Sequence, residues 1–107
     1  MRVAVRDYVE YLFVEIDLEG EILSPKDLPA FLERVRLEVG NRFYGKGIVL
    51  SGRLPIWAYV ALAHEFHPAQ WVATFDPRLN GAVVAARHVR TRRVGEVIPI
   101  GGGQNEV

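Results

Sequence analysis

The sequence predicts a single α/β domain with the element order β-β-α-β-α-β-β, and three observations predict it. The chain has 107 residues, 50% of them hydrophobic and 24% charged, enough for one globular domain and too few for two. Short apolar runs rich in β-branched and aromatic residues alternate with two longer segments whose apolar residues recur at helical spacing. Glycine and proline punctuate the boundaries, at Gly20, Gly40, Pro55 and Pro68. The domain is expected over residues 1–100, with a flexible tail, GGGQNEV, over 101–107.

Taken in order, Met1 to Val5 reads as a short strand and Tyr8 to Asp17 as a longer one. In the second, Val9, Tyr11, Phe13 and Glu15 fall on one face, and Leu12, Val14 and Ile16 on the other. Apolar residues on both faces predict a strand covered on both sides. Ser24-Pro25 or Asp27 opens a helix running to about Val39, with Leu28, Phe31, Leu32, Val35, Leu37 and Val39 as candidate core. Gly40-Asn41 fits its C-cap. Ile48 to Leu50 is the next strand, and the turn Ser51-Gly52-Arg53 leads to a helix with Pro55 at its first position. That helix is apolar nearly all round, so it is either buried or turns one side to a partner subunit. It ends at His67-Pro68. Trp71 to Phe75 and Ala82 to His88 form a hairpin through an Asn80-Gly81 turn. Val97 to Ile100 reads as a short edge strand, limited by Pro99. Two βαβ units share the strand Ile48 to Leu50, giving a two-layer or three-layer fold with a mainly parallel centre.

Composition excludes several classes. Thirteen basic and thirteen acidic side chains cancel, which argues against a generally basic nucleic-acid binder and leaves room for a local arginine patch. The absence of cysteine removes disulfides and thiolate metal sites. The N-terminal MRVAVRDYVEYLF is charged throughout, unlike a signal peptide. No apolar run has the length of a membrane span, and the expected location is cytoplasmic. A core this small gains from association with a second copy.

Chemistry-bearing residues gather where strands end. In open α/β sheets ligands bind outside the carboxyl ends of the strands. Ser51-Gly52-Arg53 sits at one such end and before a helix N-terminus. Free N–H groups, the helix dipole and a guanidinium there suit a phosphate, and glycine lets a ligand approach the backbone. The plain alternative is a tight turn with a surface arginine. Asp76-Pro77-Arg78 follows another strand end. Its carboxylate suits a metal ion or a water and its arginine a phosphate, against the alternative of an aspartate-closed turn. His88 is a candidate nitrogen ligand beside Asp76.

His64 and His67 stand three apart near a helix end, which is not the two-histidine spacing of zinc proteases, and His64 reads as a core or interface residue. His67, at the helix terminus, is expected on the opposite sheet edge from Asp76 within one subunit. If both serve one reaction, two molecules share the site. Arg87, Arg90, Arg92 and Arg93 form a basic cluster expected near the phosphate site. Trp57, Tyr59 and Trp71 suit base stacking, or the core or an interface.

SGRLPIWAYVALAHEFHP followed by WVATFDPRLNGAVVA resembles the small type III CRISPR-associated ring nucleases of the Csx-three (Crn-three) family. The shared features are a G-R-x-P-[IV]-W segment, a histidine-proline closing the next helix, and a D-P-[RK] loop before an apolar strand. The resemblance covers roughly Gly47 to His88, with Leu54 departing from the residue expected in many relatives. It implies a compact relative of the CRISPR-associated Rossmann fold that forms homodimers. It also implies binding of cyclic tetra-adenylate or a short RNA tetranucleotide between dimers stacked head to tail, as tetramers or filaments, with no membrane partner. It further implies manganese-assisted cleavage of the ring messenger that switches off type III effector nucleases.

Carried over by motif, His67, Asp76 and Arg78 are catalytic, His88 participates, and Ser51, Gly52 and Arg53 cradle phosphates. Asp76 and His88 would hold the Mn2+ or another divalent metal. His67 would be general acid or base, since imidazoles titrate near neutrality, and Arg78 would stabilise charge on the phosphate. Whether water or the ribose 2′-hydroxyl attacks stays open. Three other readings are a module that binds the ring or short RNA without turnover, a manganese-dependent exonuclease trimming adenylates from RNA 3′ ends, and a structural dimerisation domain.

Overall fold

A computed structural model of the chain describes residues 1–100, and the expected tail over 101–107 lies outside the described residues. The chain opens with a hairpin of β1 (Arg2–Asp7) and β2 (Tyr11–Asp17). β2 starts later than the apolar run, because the Tyr8 N–H bonds the Tyr11 carbonyl at 2.9 Å and makes Tyr8 to Tyr11 the turn. As its pattern predicts, β2 is buried on both faces, Tyr11 and Phe13 on one and Leu12, Val14 and Ile16 on the other.

A single 3-10 turn (Pro25–Asp27) leads into α1 (Leu28–Val39). The Ser24 amide and hydroxyl both donate to the Asp27 carboxylate, at 3.3 and 2.9 Å, and fix the helix entrance. Phe31, Val35 and Val39 form the buried stripe. Leu37, expected in the core, is exposed. It stands two residues from Val35, so the helical pitch turns it about 200° away from the stripe. Gly40 ends the helix as its C-cap, at a positive φ of 62° that favours glycine, with its N–H donating to the Arg36 carbonyl.

β3 (Gly47–Ser51) is buried throughout, and α2 (Ile56–Glu65) follows. Pro55 is the residue before this helix, with an extended ψ of 150°, and not its first helical position. Ala58 and Leu62 face the core, while Ile56 and Val60 are exposed. α2 is therefore buried on one side and open on the other. β4 (Trp71–Asp76) and β5 (Gly81–Arg87) form the predicted hairpin, with a register shift between Val72 and Ala73. β6 (Val97–Pro99) closes the sheet as its edge strand.

The six strands lie in the order β1-β2-β3-β4-β5-β6. β2, β3 and β4 are parallel and the outer pairs antiparallel. Successive crossovers of one hand that step the same way across a sheet put their helices on one face. Here Phe31 and Val35 of α1 and Ala58 and Leu62 of α2 share a core with Leu12, Val14, Ile48, Leu50 and Val72. The other face holds a second cluster around Tyr11, Phe13, Trp71, Ala73 and Val84 that contains no helical residue. Arg6 lies over the Phe13 ring and Arg92 over the Trp71 ring. The fold is thus a mixed two-layer α/β domain. A doubly wound Rossmann layout needs helices on both faces and a reversal of strand order, and this sheet has neither.

Tyr11 tests how the helix-free cluster is held. Its hydroxyl is buried with no hydrogen-bond partner among the described residues, and burial, with Tyr8 adding to it, pushes the phenol above its usual pKa. A buried unpaired hydroxyl costs roughly 1–3 kcal/mol of desolvation. Tyr11→Phe keeps the ring and removes the orphan, so urea unfolding is expected to show a gain of about 1 kcal/mol. A loss of similar size would show that the hydroxyl is satisfied in solution.

Candidate functional site at two sheet edges

Because β2, β3 and β4 are parallel, their carboxyl ends share one edge of the sheet and their amino ends the other. The first edge carries Ser51-Gly52-Arg53, Asp76-Pro77-Arg78 and the N-terminus of α2. The second carries the C-terminus of α2 with His64 and His67, and the end of β5 with His88.

At the carboxyl edge Arg78 grips Asp76. Its Nε is 3.2 Å from Oδ1, its Nη2 is 3.0 Å from Oδ2, and its backbone N–H donates to Oδ1 at 3.0 Å. The turn reading of Asp76 and the functional reading are therefore one arrangement: the carboxylate that closes the turn also aims the guanidinium. The Arg78 side chain, then its amide, holds the Asp76 carboxyl below the usual range. A cleft of about 390 Å³ runs from this pair to Ile56 and Tyr59 of α2. The free amides at the start of α2 make this a place where anions are favoured.

Ser51, Gly52 and Arg53 line a separate cleft of about 640 Å³, together with Glu15, Asp17, Glu19 and Glu21. Asp17 is paired with Arg2, and the N-terminal ammonium lies 3.3 Å from Glu19. These carboxylates oppose a phosphate. Gly52 also departs from its expected role. A side chain on it would meet the Ile16 carbonyl oxygen at 2.4 Å, and its φ is 151°. Glycine is needed here for the approach of β2 and not for a ligand. The Tyr59 hydroxyl donates to the Gly52 carbonyl and holds the turn against α2.

At the opposite edge the chain's three histidines come together. The His64 and His67 rings stack at 5.7 Å, and His67 meets His88 edge-on at 6.5 Å. His67 Nδ1 lies 3.0 Å from the His64 carbonyl. A carbonyl only accepts, so Nδ1 carries the proton and Nε2 of the neutral ring is left as the acceptor. His64, read from sequence as a core or interface residue, is exposed. Its three-residue spacing from His67 was the signal, since the chain keeps turning past α2 and the His67 N–H donates to the His64 carbonyl at 3.3 Å.

His88 does not join Asp76. Trp71 pairs with Arg87 and Asp76 with Gly81, so the two stand at opposite ends of the hairpin, about 20 Å apart at the usual strand rise. No group of three or more metal-binding side chains converges among the described residues. The arginine-rich loop also leaves β5 at the histidine edge, away from Ser51 to Arg53. Arg92 is held there by Glu96 at 2.6 Å and Glu10 at 2.8 Å. Of the three aromatics considered for stacking, Trp71 is buried, Tyr59 half-buried and Trp57 exposed.

Residues 16–99, which include both edges, match the family described as CRISPR-associated protein (Cas_csx3). The chain belongs to this family. It is also 52% identical, over 85 residues, to an uncharacterized protein of Aquifex aeolicus (strain VF5), a match covering 79% of this chain and 74% of that relative. Membership of the Cas_csx3 family makes the chain CRISPR-associated. No helix among the described residues is long and apolar enough to cross a membrane.

Proposed function

We propose that the protein cleaves cyclic tetra-adenylate at a site formed between chains stacked edge to edge, and so ends type III CRISPR signalling. The observation that carries this reading is the division of chemistry between the two edges. His67 stands on one, and the Asp76–Arg78 pair on the other. A head-to-tail contact, in which the histidine edge of one chain meets the carboxyl edge of the next, completes a site that one chain lacks. A ring ligand between them has its phosphate within reach of both. The open apolar side of α2 supports further pairing of chains.

In such a site an oxygen nucleophile attacks phosphorus and the bond to the leaving ribose oxygen breaks. His67 takes the proton of the nucleophile at Nε2. Arg78, held flat by Asp76, meets the charge that builds on the non-bridging oxygens. The manganese ion implied by the resemblance does not fit the donors of one chain, because Asp76 and His88 are at opposite ends of the β4–β5 hairpin. Its proposed place is confined to the stacked assembly.

A second reading, a module that binds short RNA or the ring without turnover, is supported by the engagement of both Asp76 oxygens by Arg78. Labelled cyclic tetra-adenylate and a labelled linear RNA with a 3′ adenylate tail, each incubated with the protein with and without manganese, separate the readings. Linear products are the expected result. Tight binding without products would select the binding module, and trimming of only linear RNA 3′ ends would select an exonuclease.

A further inference from the structure

A cleft of about 460 Å³ opens at the histidine edge, and Glu10, Gln70, Trp71, Thr91 and Arg92 are among its lining residues. Trp71 belongs to the helix-free cluster, so this cleft lies on that side of the sheet. Its size is in the range of small-ligand sites. Gln70 ties it to the histidines: its carbonyl accepts the His88 N–H at 2.7 Å, and its own N–H donates to the Lys46 carbonyl at 2.9 Å. The backbone of Gln70 is thereby pinned, while its side-chain carboxamide makes no hydrogen bond among the described residues.

Arg92 supplies the second feature. Its guanidinium lies over the Trp71 ring, 5.3 Å from the centroid, and is held by Glu96 at 2.6 Å and Glu10 at 2.8 Å. A guanidinium paired with two carboxylates has little attraction left for a phosphate, and the carboxylates themselves repel one. What it keeps is a flat, fixed surface of the kind on which nucleobases stack. An unpartnered carboxamide beside that surface offers one donor and one acceptor side by side. That pattern is the complement of the adenine edge, where N7 accepts and the N6 amine donates.

We infer that this cleft receives an adenine base of the ligand, stacked on the outer face of the Arg92 guanidinium, which the buried Trp71 ring backs, and read by the Gln70 carboxamide. The inference rests on the proposed function in taking the ligand to be an adenylate ring. It adds the group that tells adenine from other purines.

The test compares binding of cyclic tetra-adenylate with that of cyclic tetra-inosinate, in which a carbonyl replaces the N6 amine, under chelating conditions that halt any metal-dependent turnover. Wild-type protein is expected to prefer the adenylate by about tenfold or more, the discrimination of a good bidentate pair. Gln70→Ala is expected to bring the ratio towards one with an unchanged melting temperature, because the side chain holds nothing in the fold. Gln70→Leu, which keeps the bulk and loses both the donor and the acceptor, is expected to do the same. Wild-type selectivity retained in both variants would overturn the inference and leave the proposed function standing. Failure of wild-type protein to bind either ring would overturn the proposed function and this inference with it.

Discussion

Chains carrying His67→Ala and chains carrying Asp76→Ala are each expected to be inactive towards the adenylate ring, and an equal mixture is expected to recover activity. The size of the recovery follows from the geometry. A head-to-tail contact is active when the chain giving its histidine edge has His67 and the chain giving its carboxyl edge has Asp76. With random mixing at a heterologous interface, about a quarter of contacts meet both conditions. Recovery near that fraction, rising with total protein concentration, is the expected result of the ring-cleavage assay. A site within one chain gives no recovery at any ratio, and that outcome would remove the stacked arrangement. Preformed assemblies that exchange slowly would delay the recovery, so the mixture is followed over time.

The frame of this site was legible in the sequence because it depends on local rules. Apolar residues on both faces of β2 marked a central strand, Asn80-Gly81 marked a hairpin turn, and Gly40 marked a helix end. Two βαβ units sharing β3 then place His67 and Asp76 on opposite edges without any knowledge of packing. Leu37 was misplaced because apolar character was counted without its angle on the helix. The role of Gly52 was not legible at all. The Ile16 carbonyl that forbids a side chain there lies far away in sequence, and a glycine in a turn looks the same whether a ligand or a strand approaches it. The partner of His88 was within reach. In a hairpin that pairs Asp76 with Gly81, His88 is carried back past Trp71 to Gln70 and the other histidines.

Arg78→Ala is expected to lower the rate constant for ring cleavage by about a hundred- to a thousandfold, the usual cost of removing a donor aimed at charge in the transition state. Arg78→Lys should recover little, because an ammonium is a point charge and cannot span both Asp76 oxygens as a guanidinium does. A second readout separates this role from general damage. Asp76 has a depressed folded pKa through its bonds to Arg78. The pair therefore favours the folded state at pH values above the ordinary carboxylate range, and that contribution is lost as pH falls through the folded value. Removing the guanidinium should move the Asp76 titration upward, towards an ordinary aspartate, as followed by the carboxyl-carbon chemical shift. A lost rate with an unmoved titration would mean that the clamp does not persist in solution and that Arg78 acts without Asp76. An intact rate would mean that charge on the phosphate is met by another group, with Arg53 on the same edge as the next residue to replace.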